Sequence, residues 1–562
     1  MSVTPADVQA KIHEVISDGQ FFELMDVELS GQSFKAFKHA PPNLLTAVQS
    51  GRGHGGAEFL VYEGKRYTFD EFFRQADAFA AALQSEYKVA KGDRVAIAMR
   101  NRPEWCVAFV ASIAIGAIAV PINSWGKTEE LSYAVGDCGA NVLVCDEARF
   151  DLIKDKLDDL AVTAIVSVDS ELPAGAIGFD AIIAQHNGAS YKIDEPAPED
   201  ICLILYTSGS TGFPKGVAHR QIAVAQALMN MMYLGYLVMS LEGERELRGG
   251  AERETPMLTV PLFHGTGLLS GLLIPLQLGH KVVMMYKWDT QNALQLIQDE
   301  KVTGLTSVPA VLQALFSAPN FDEFETASLM RIGAAGAATP AGLPGLIEEK
   351  IGKPSRSAGW AMTETLAIGT TASGILFDLA PDSAGVQSPI CEIRFMDDEG
   401  KELPYGDAGE IEFRGVTMTP GYWEKPEANE ASFRGGWLKT GDIGKFGDDD
   451  YLYITGRKKE IIIRGGENIY PGEIEDVAYR LEQMHENVVF GVPDDTMGEE
   501  MVMVAFGEAG LNEELIRSHL KNNLAAYKVP KIITVLSEPL PKNASGKLFK
   551  RQLKDNYIQE LG

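Results

Sequence analysis

The chain has 562 residues, well past the ~250–300 at which one hydrophobic core stops growing, so two or more domains are expected. A composition of 45% hydrophobic and 23% charged residues excludes a disordered or fibrous chain. The net charge of −28 would repel nucleic acid and anionic membrane surfaces over most of the molecule, so an anionic ligand must be held by local donors.

The start, Met1 to Asp7, has neither the basic stretch nor the apolar core of a secretory signal. Cys106, Cys138, Cys145, Cys202 and Cys391 form no C-x-x-C pair. Both features point to a cytoplasmic protein with reduced core thiols. Residues Phe59 to Tyr67 predict a hairpin turning at Glu63-Gly64, followed by a helix burying Phe73, Ala76, Phe79 and Leu83. Apolar strands at Arg94–Met99, Ala119–Ile122, Asn141–Cys145 and Ala164–Val168 then alternate with helical patterns, the rhythm of an α/β fold with a covered parallel sheet. The longest apolar run, Trp105 to Ile122, carries Ser112, Gly116 and Pro121 and reads as a helix entering a buried strand; no transmembrane segment is expected.

Ile201 to Leu205 run straight into Tyr206-Thr207-Ser208-Gly209-Ser210-Thr211-Gly212-Phe213-Pro214-Lys215-Gly216. Ile222, Ala225, Met229 and Met232 follow at near-helical spacing, so the stretch is expected to be a loop between a buried strand and a helix. Three glycines let backbone N–H groups turn toward an anion, and four hydroxyls and Lys215 add donors, a combination suited to polyphosphate. It is not a Walker loop, because Lys215 follows Pro214 rather than glycine. The loop is expected to open a second α/β series with strands at Met257–Val260, Lys281–Met285 and Gly304–Val308, while the charged segment Leu241 to Glu254 reads as an exposed loop without chemistry. Past Pro389 an alternating texture with glycine turns suggests an antiparallel β unit over about 390–456. The expected division is a domain over 1–456 and a second over 457–562, with a hinge near Lys459.

The 206–216 stretch resembles the T-S-G-S-T-G-x-P-K-G signature of the adenylate-forming superfamily of acyl-CoA synthetases, luciferases and peptide-synthetase adenylation domains. Further motifs resemble that family in order: Pro261-Leu262-Phe263-His264-Gly265, Gly333 to Ala338, Gly359 to Glu364, Thr440-Gly441-Asp442, Gly456 to Glu460, Arg464 to Pro471, and Pro541 to Lys547. The resemblance spans roughly residues 50–555. It implies an α/β fold with two doubly wound subdomains and a small β-barrel unit, then a small mobile α+β domain.

The resemblance also implies roles. Thr207, Ser208, Gly209, Ser210, Thr211, Gly212 and Lys215 would hold ATP phosphates, Gly336, Ala337 and Ala338 would lie against adenine, and Trp360 would offer a stacking face. Thr363 would donate to phosphate, Glu364 with Thr207 would hold Mg²⁺, Asp442 would accept the ribose hydroxyls, and Arg457 would reach ribose or phosphate. His264 would sit beside the acyl carboxylate, Gly465 and Gly466 along the pantetheine arm of CoA, Lys459 at the pivot, and Lys547 between carboxylate and α-phosphate. Lys458 reads as solvated. Trp360 replaces the family's usual Tyr, and Ala361 its usual Gly, which narrows the channel. Met229, Met232 and Met362 are expected along an apolar acyl tail, fatty or aromatic, with no charged anchor. The implied activity is an acyl-CoA synthetase using a small carboxylic acid, ATP, Mg²⁺ and CoA, with a homodimer among the assemblies allowed. An adenylating ligase with a carrier-protein acceptor and a catalytically silent acyl- or nucleotide-binding protein stay open.

Overall fold

The computed structural model describes residues 3–169, 175–207, 214–243, 247–334, 342–464, 467–494, 497–542 and 548–561. Strands Glu58–Tyr62 and Lys65–Thr68 form the expected hairpin, and Glu63 and Gly64 turn it at φ of 46° and 75°. Thr68 then caps helix Phe69–Ser85: its hydroxyl accepts the Glu71 N–H at 3.2 Å, and Glu71 Oε2 accepts the Thr68 N–H at 2.9 Å. The helix buries Phe72, Phe73, Ala76, Phe79 and Leu83. With helix Pro103–Ala114 it contributes to one core that takes side chains from both large sheets, so the two α/β layers share a single interior.

The first sheet has seven strands, in the order 215–220, 201–207, 118–121, 94–98, 142–145, 164–167, 177–178. It is parallel except at the 215–220 edge. The glycine-rich segment therefore does not lead from strand to helix. It joins Ile201–Thr207 to an antiparallel strand, Lys215–Arg220, and the helix begins only at Gln221. Val217, Ala218 and His219 are all buried, which holds this short stretch extended. The pair also completes the first sheet instead of opening the second. That second sheet has nine strands, with 256–258, 304–307, 331–334 and 355–360 at its parallel centre and the 58–68 hairpin at one edge.

The long helix Gln221–Glu242 has two covered sides. Gln226 exchanges hydrogen bonds with the Phe37 backbone (2.7 and 3.0 Å), fixing the N-terminal hairpin Leu24–Leu29/Gln32–Phe37 against it. Phe22, Phe37, Met229 and Tyr233 pack together there, with Met232 against them. Among the described residues this is one helix long and apolar enough to cross a membrane, and most of it is packed inside the protein.

Strands within 391–457 form a five-stranded antiparallel sheet around Phe395, Ile411, Phe413, Leu438 and Leu452. After the 3₁₀ turn Lys458–Glu460, another five-stranded sheet and helices Pro471–Tyr479, Glu513–Asn523 and Lys550–Leu561 enclose their own cores. The molecule is thus a large α/β domain followed by a small α+β domain.

Candidate active site

Thr207 and Lys215 face each other at the ends of the paired strands, with the Thr207 hydroxyl 3.4 Å from the Lys215 carbonyl. Ser208, Gly209, Ser210, Thr211 and Gly212 lie outside the described residues, as do Gly336, Ala337, Ala338, Gly465, Gly466 and Lys547. The Lys215 ammonium stands 4.8 Å over the ring of Tyr422, and the Tyr422 hydroxyl donates to Glu364 Oε1 at 2.8 Å. Tyr422 arrives because the segment before it crosses the 215–220 strand. Val217 bridges Tyr422, the Ala218 N–H donates to Gly421 at 3.2 Å, and the Trp423 N–H donates to Gly216 at 2.7 Å. The Thr419 N–H donates to the Glu364 carbonyl at 2.8 Å, fixing the 363–365 turn to the same segment.

Glu364 is 7% exposed. Burial pushes its carboxyl above the usual carboxylate range, against the pull of the Tyr422 hydroxyl and the Lys215 charge. Asp442 is held from two sides: Trp360 Nε1 donates to Oδ2 at 2.8 Å, and Arg457 Nε lies 3.1 Å from Oδ1. Asp442 and Arg457 are register partners in neighbouring antiparallel strands, so the sheet itself sets their approach.

His264 precedes the short helix Gly265–Leu268, on a loop clamped by Asn101. The Asn101 amide donates to Val260 O at 3.0 Å, and its Oδ1 accepts the Leu262 N–H at 2.9 Å. Gly267 packs on this loop so closely that a Cβ would lie 2.2 Å from the Pro261 carbonyl, which only glycine allows. His264, Thr363, Met362 and Ala361 open onto one cavity of about 1860 Å³ that continues along the long helix. The cavity has room for a nucleotide and a second organic group, and Thr363 on its wall is the sequence neighbour of the buried carboxylate Glu364.

Two family models match, "AMP-binding enzyme" over residues 48–423 and "AMP-binding enzyme C-terminal domain" over 473–547. The chain belongs to the adenylate-forming AMP-binding enzymes. It is similar to the long-chain-fatty-acid–CoA ligase FadD13 of Mycobacterium tuberculosis, 31% identical over 84% of this chain and 89% of that one. A feruloyl-CoA synthase of an Amycolatopsis species is 30% identical over 91% of this chain and 98% of the relative. Among solved structures, the anthranilate CoA ligase AuaEII in complex with anthranoyl-AMP matches at TM-score 0.81 and 27% identity, over 92% of this chain and 98% of that one. This AMP-binding enzyme is an acid–thiol ligase, an acyl-CoA synthetase with ATP and CoA as substrates.

In this AMP-binding enzyme the expectation for the acyl-facing methionines needs correction. Met362 lines the cavity, but Met229 and Met232 do not and pack in the cluster that holds Phe22, Phe37 and Tyr233, while Met231, Leu234 and Val238 border the cavity. The 241–254 segment is not wholly an exposed loop: Glu242 ends the long helix, and Glu242 and Glu254 both border the cavity. Lys458 is not simply solvated, since its ammonium lies 3.0 Å from Glu410 and 3.1 Å from Asp398. Tyr422 and Asn101 escaped the motif reading because each acts from a segment distant in sequence from the group it positions.

Trp360→Phe keeps an aromatic face but leaves Asp442 without its indole donor. A hydrogen bond to a charged group contributes about 1.5–3 kcal/mol. The KM for ATP is therefore expected to rise about tenfold or more, with a smaller change in kcat, in initial-rate measurements with saturating acid.

Proposed function

We propose that this acyl-CoA synthetase activates a carboxylic acid with a bulky tail, fatty or aromatic, lodged along the cavity face of helix Gln221–Glu242. The observation that carries this reading is the continuity of one cavity from His264 and Thr363 to Met231, Leu234 and Val238. The acid's carboxylate attacks the α-phosphorus of ATP, a P–O bond forms, and pyrophosphate leaves. Two anions approach in that step, so the protein's work is electrostatic. Lys215 and the donors of the 207–215 loop take up the charge of the departing pyrophosphate. Asp442 holds the ribose and so fixes the α-phosphorus. In this reading Lys547, carried by the Pro541 to Lys547 motif, enters the closing gap between carboxylate and phosphate. The CoA thiol then opens the mixed anhydride, forming the thioester and releasing AMP.

Glu364 suits a magnesium ion. It is a hard oxygen ligand, buried enough that its own ionisation is disfavoured, and no cluster of three or more acidic, His or Cys ligands exists among the described residues. An ion that completes its shell with water and phosphate oxygens needs only one or two such carboxylates. Glu364, with Thr207 beside the phosphate loop, would hold it, and when bound it supplies charge neutralisation to the triphosphate. All five cysteines are free and buried, which supports a reducing, cytoplasmic setting.

Acid-dependent exchange of labelled pyrophosphate into ATP tests the first step, and CoA-dependent AMP release tests the second. Exchange without CoA-dependent turnover would favour a carrier-protein acceptor, and no exchange with a broad set of acids would sink the adenylation itself.

The 3₁₀ turn Lys458–Glu460 has ionic anchors on either side of Lys459. Lys458 is tied to Glu410 and Asp398 of the β unit, and Glu460 to Lys550 of the small domain at 2.7 Å. Rotation between the domains is then concentrated at residue 459. Lys459→Pro is expected to slow thioester formation from supplied acyl-AMP more than it slows pyrophosphate exchange. Larger damage to exchange would contradict the pivot.

A further inference from the structure

The two walls of the acyl cavity differ in chemistry. The helix wall is hydrocarbon along Met231, Leu234, Val238 and Met239, with the Glu242 carboxylate only at its C-terminal end. The opposite wall is one face of the nine-stranded sheet, and the register fixes which residues share it. Thr306 pairs with Gly333, Gly333 with Ser357, Ser357 with Ser373, and Gly359 with Thr371, while Ser355 lies two residues from Ser357 on the same face. Thr306, Ser355, Ser357, Thr371 and Ser373 all border the cavity.

Their hydroxyls bond no protein group among the described residues. Thr370 also borders the cavity, but its hydroxyl is satisfied by the Ala384 carbonyl at 2.6 Å. Gly333 is the notch between two of the cavity hydroxyls: a Cβ there would lie 2.6 Å from Thr306 Oγ1 and 3.2 Å from Ser357 Oγ. At about 3.3 Å per residue the floor runs roughly 13 Å from Gly359 to Ser355. It ends at the bidentate pair of Arg331 with Glu254, in which Nη1 lies 2.7 Å from Oε1 and Nη2 bonds Oε2.

A plain alkyl chain lying in this slot would satisfy the helix wall and strip water from the hydroxyl wall without replacing its hydrogen bonds. We infer that the acid of this synthetase carries hydroxyl, methoxyl or keto oxygens along one face and hydrocarbon along the other, as an oxygen-bearing ring acid does. This rests on the acyl-CoA synthetase reading and names the substrate class of the same cavity. Thr306, Ser357 and Ser373 are its specificity-determining residues. A site built to hydrogen-bond substrate oxygens rejects the analogue lacking them far more strongly than an apolar pocket rejects a missing methylene.

The test uses the full chain and three matched pairs: dodecanoic and hydroxydodecanoic acid, cinnamic and dihydroxycinnamic acid, cholanic and cholic acid. The kcat/KM for CoA thioester formation is measured for each, alongside acid-dependent pyrophosphate exchange. The wild type is expected to favour the oxygenated member of at least one ring pair by about tenfold or more. In the double variant Ser357→Ala/Ser373→Ala that ratio is expected to fall toward one, with thermal melting close to the wild type. The inference is overturned if the wild type turns over the hydrocarbon members as fast or faster, or if the preference survives both substitutions undiminished. No exchange with any acid would overturn the synthetase reading and this inference with it, an outcome distinct from exchange without preference.

Discussion

Lys547→Ala is expected to lower acyl-AMP formation by about 10²–10³ in rate while leaving thioester formation from supplied acyl-AMP largely intact. The reasoning begins with charge. Only the first half-reaction brings a carboxylate against a phosphate, so only that step needs a cation between them. The mechanics follow from how the lysine's segment is tied. On one side Lys542 pairs with Glu486 at 2.5 Å and bridges Leu548. On the other, the Lys550 ammonium lies between Glu460 at 2.7 Å and Glu475 at 3.0 Å. Both ends belong to the small domain, so the proposed turn at residue 459 would carry Lys547 with that domain and away from the nucleotide. Pyrophosphate exchange and single-turnover thioester formation separate the two steps. Equal loss in both would refute a role confined to adenylation.

The strands were legible in the sequence because fully buried parallel strands are near-continuous apolar runs: Arg94–Ala98, Val142–Cys145 and Ile201–Thr207 lie where those runs lie. The strand Lys215–Arg220 was hidden because six residues without alternation sit directly before a strongly apolar helix, whose pattern absorbed them. The methionines of that helix were misassigned for a related reason. Periodicity says which residues share a face, but this helix is covered on two, and nothing local distinguishes the cavity from the N-terminal hairpin. The trio of half-buried Lys215 with buried Tyr422 and Glu364 depends on a segment crossing the 215–220 strand, a tertiary event with no local signature. The Trp360–Asp442 hydrogen bond likewise joins residues 82 positions apart.

Glu364→Gln is expected to have opposite effects on stability and catalysis. The folded protein holds this carboxyl above its usual pKa, chiefly because burial disfavours the charged form. A group whose folded pKa lies above its unfolded one binds more protons when folded. Stability therefore falls as pH rises from the unfolded value through the folded one, so the buried carboxyl costs the ligand-free protein stability above the ordinary carboxylate range. Glutamine keeps an acceptor for the Tyr422 hydroxyl and removes that charge, so the ligand-free variant should melt at a higher temperature near pH 7 than the wild type. Catalysis depends on that same charge, because a neutral amide is a far weaker ligand for magnesium than a carboxylate. Pyrophosphate exchange should fall about 10²–10³. In the wild type, protonation competes with the cation for Glu364, so the acid limb of the exchange rate should lie above the ordinary carboxylate range and move to lower pH as magnesium is raised. A variant that melts lower and exchanges normally, or an acid limb indifferent to magnesium, would remove Glu364 from the metal's coordination.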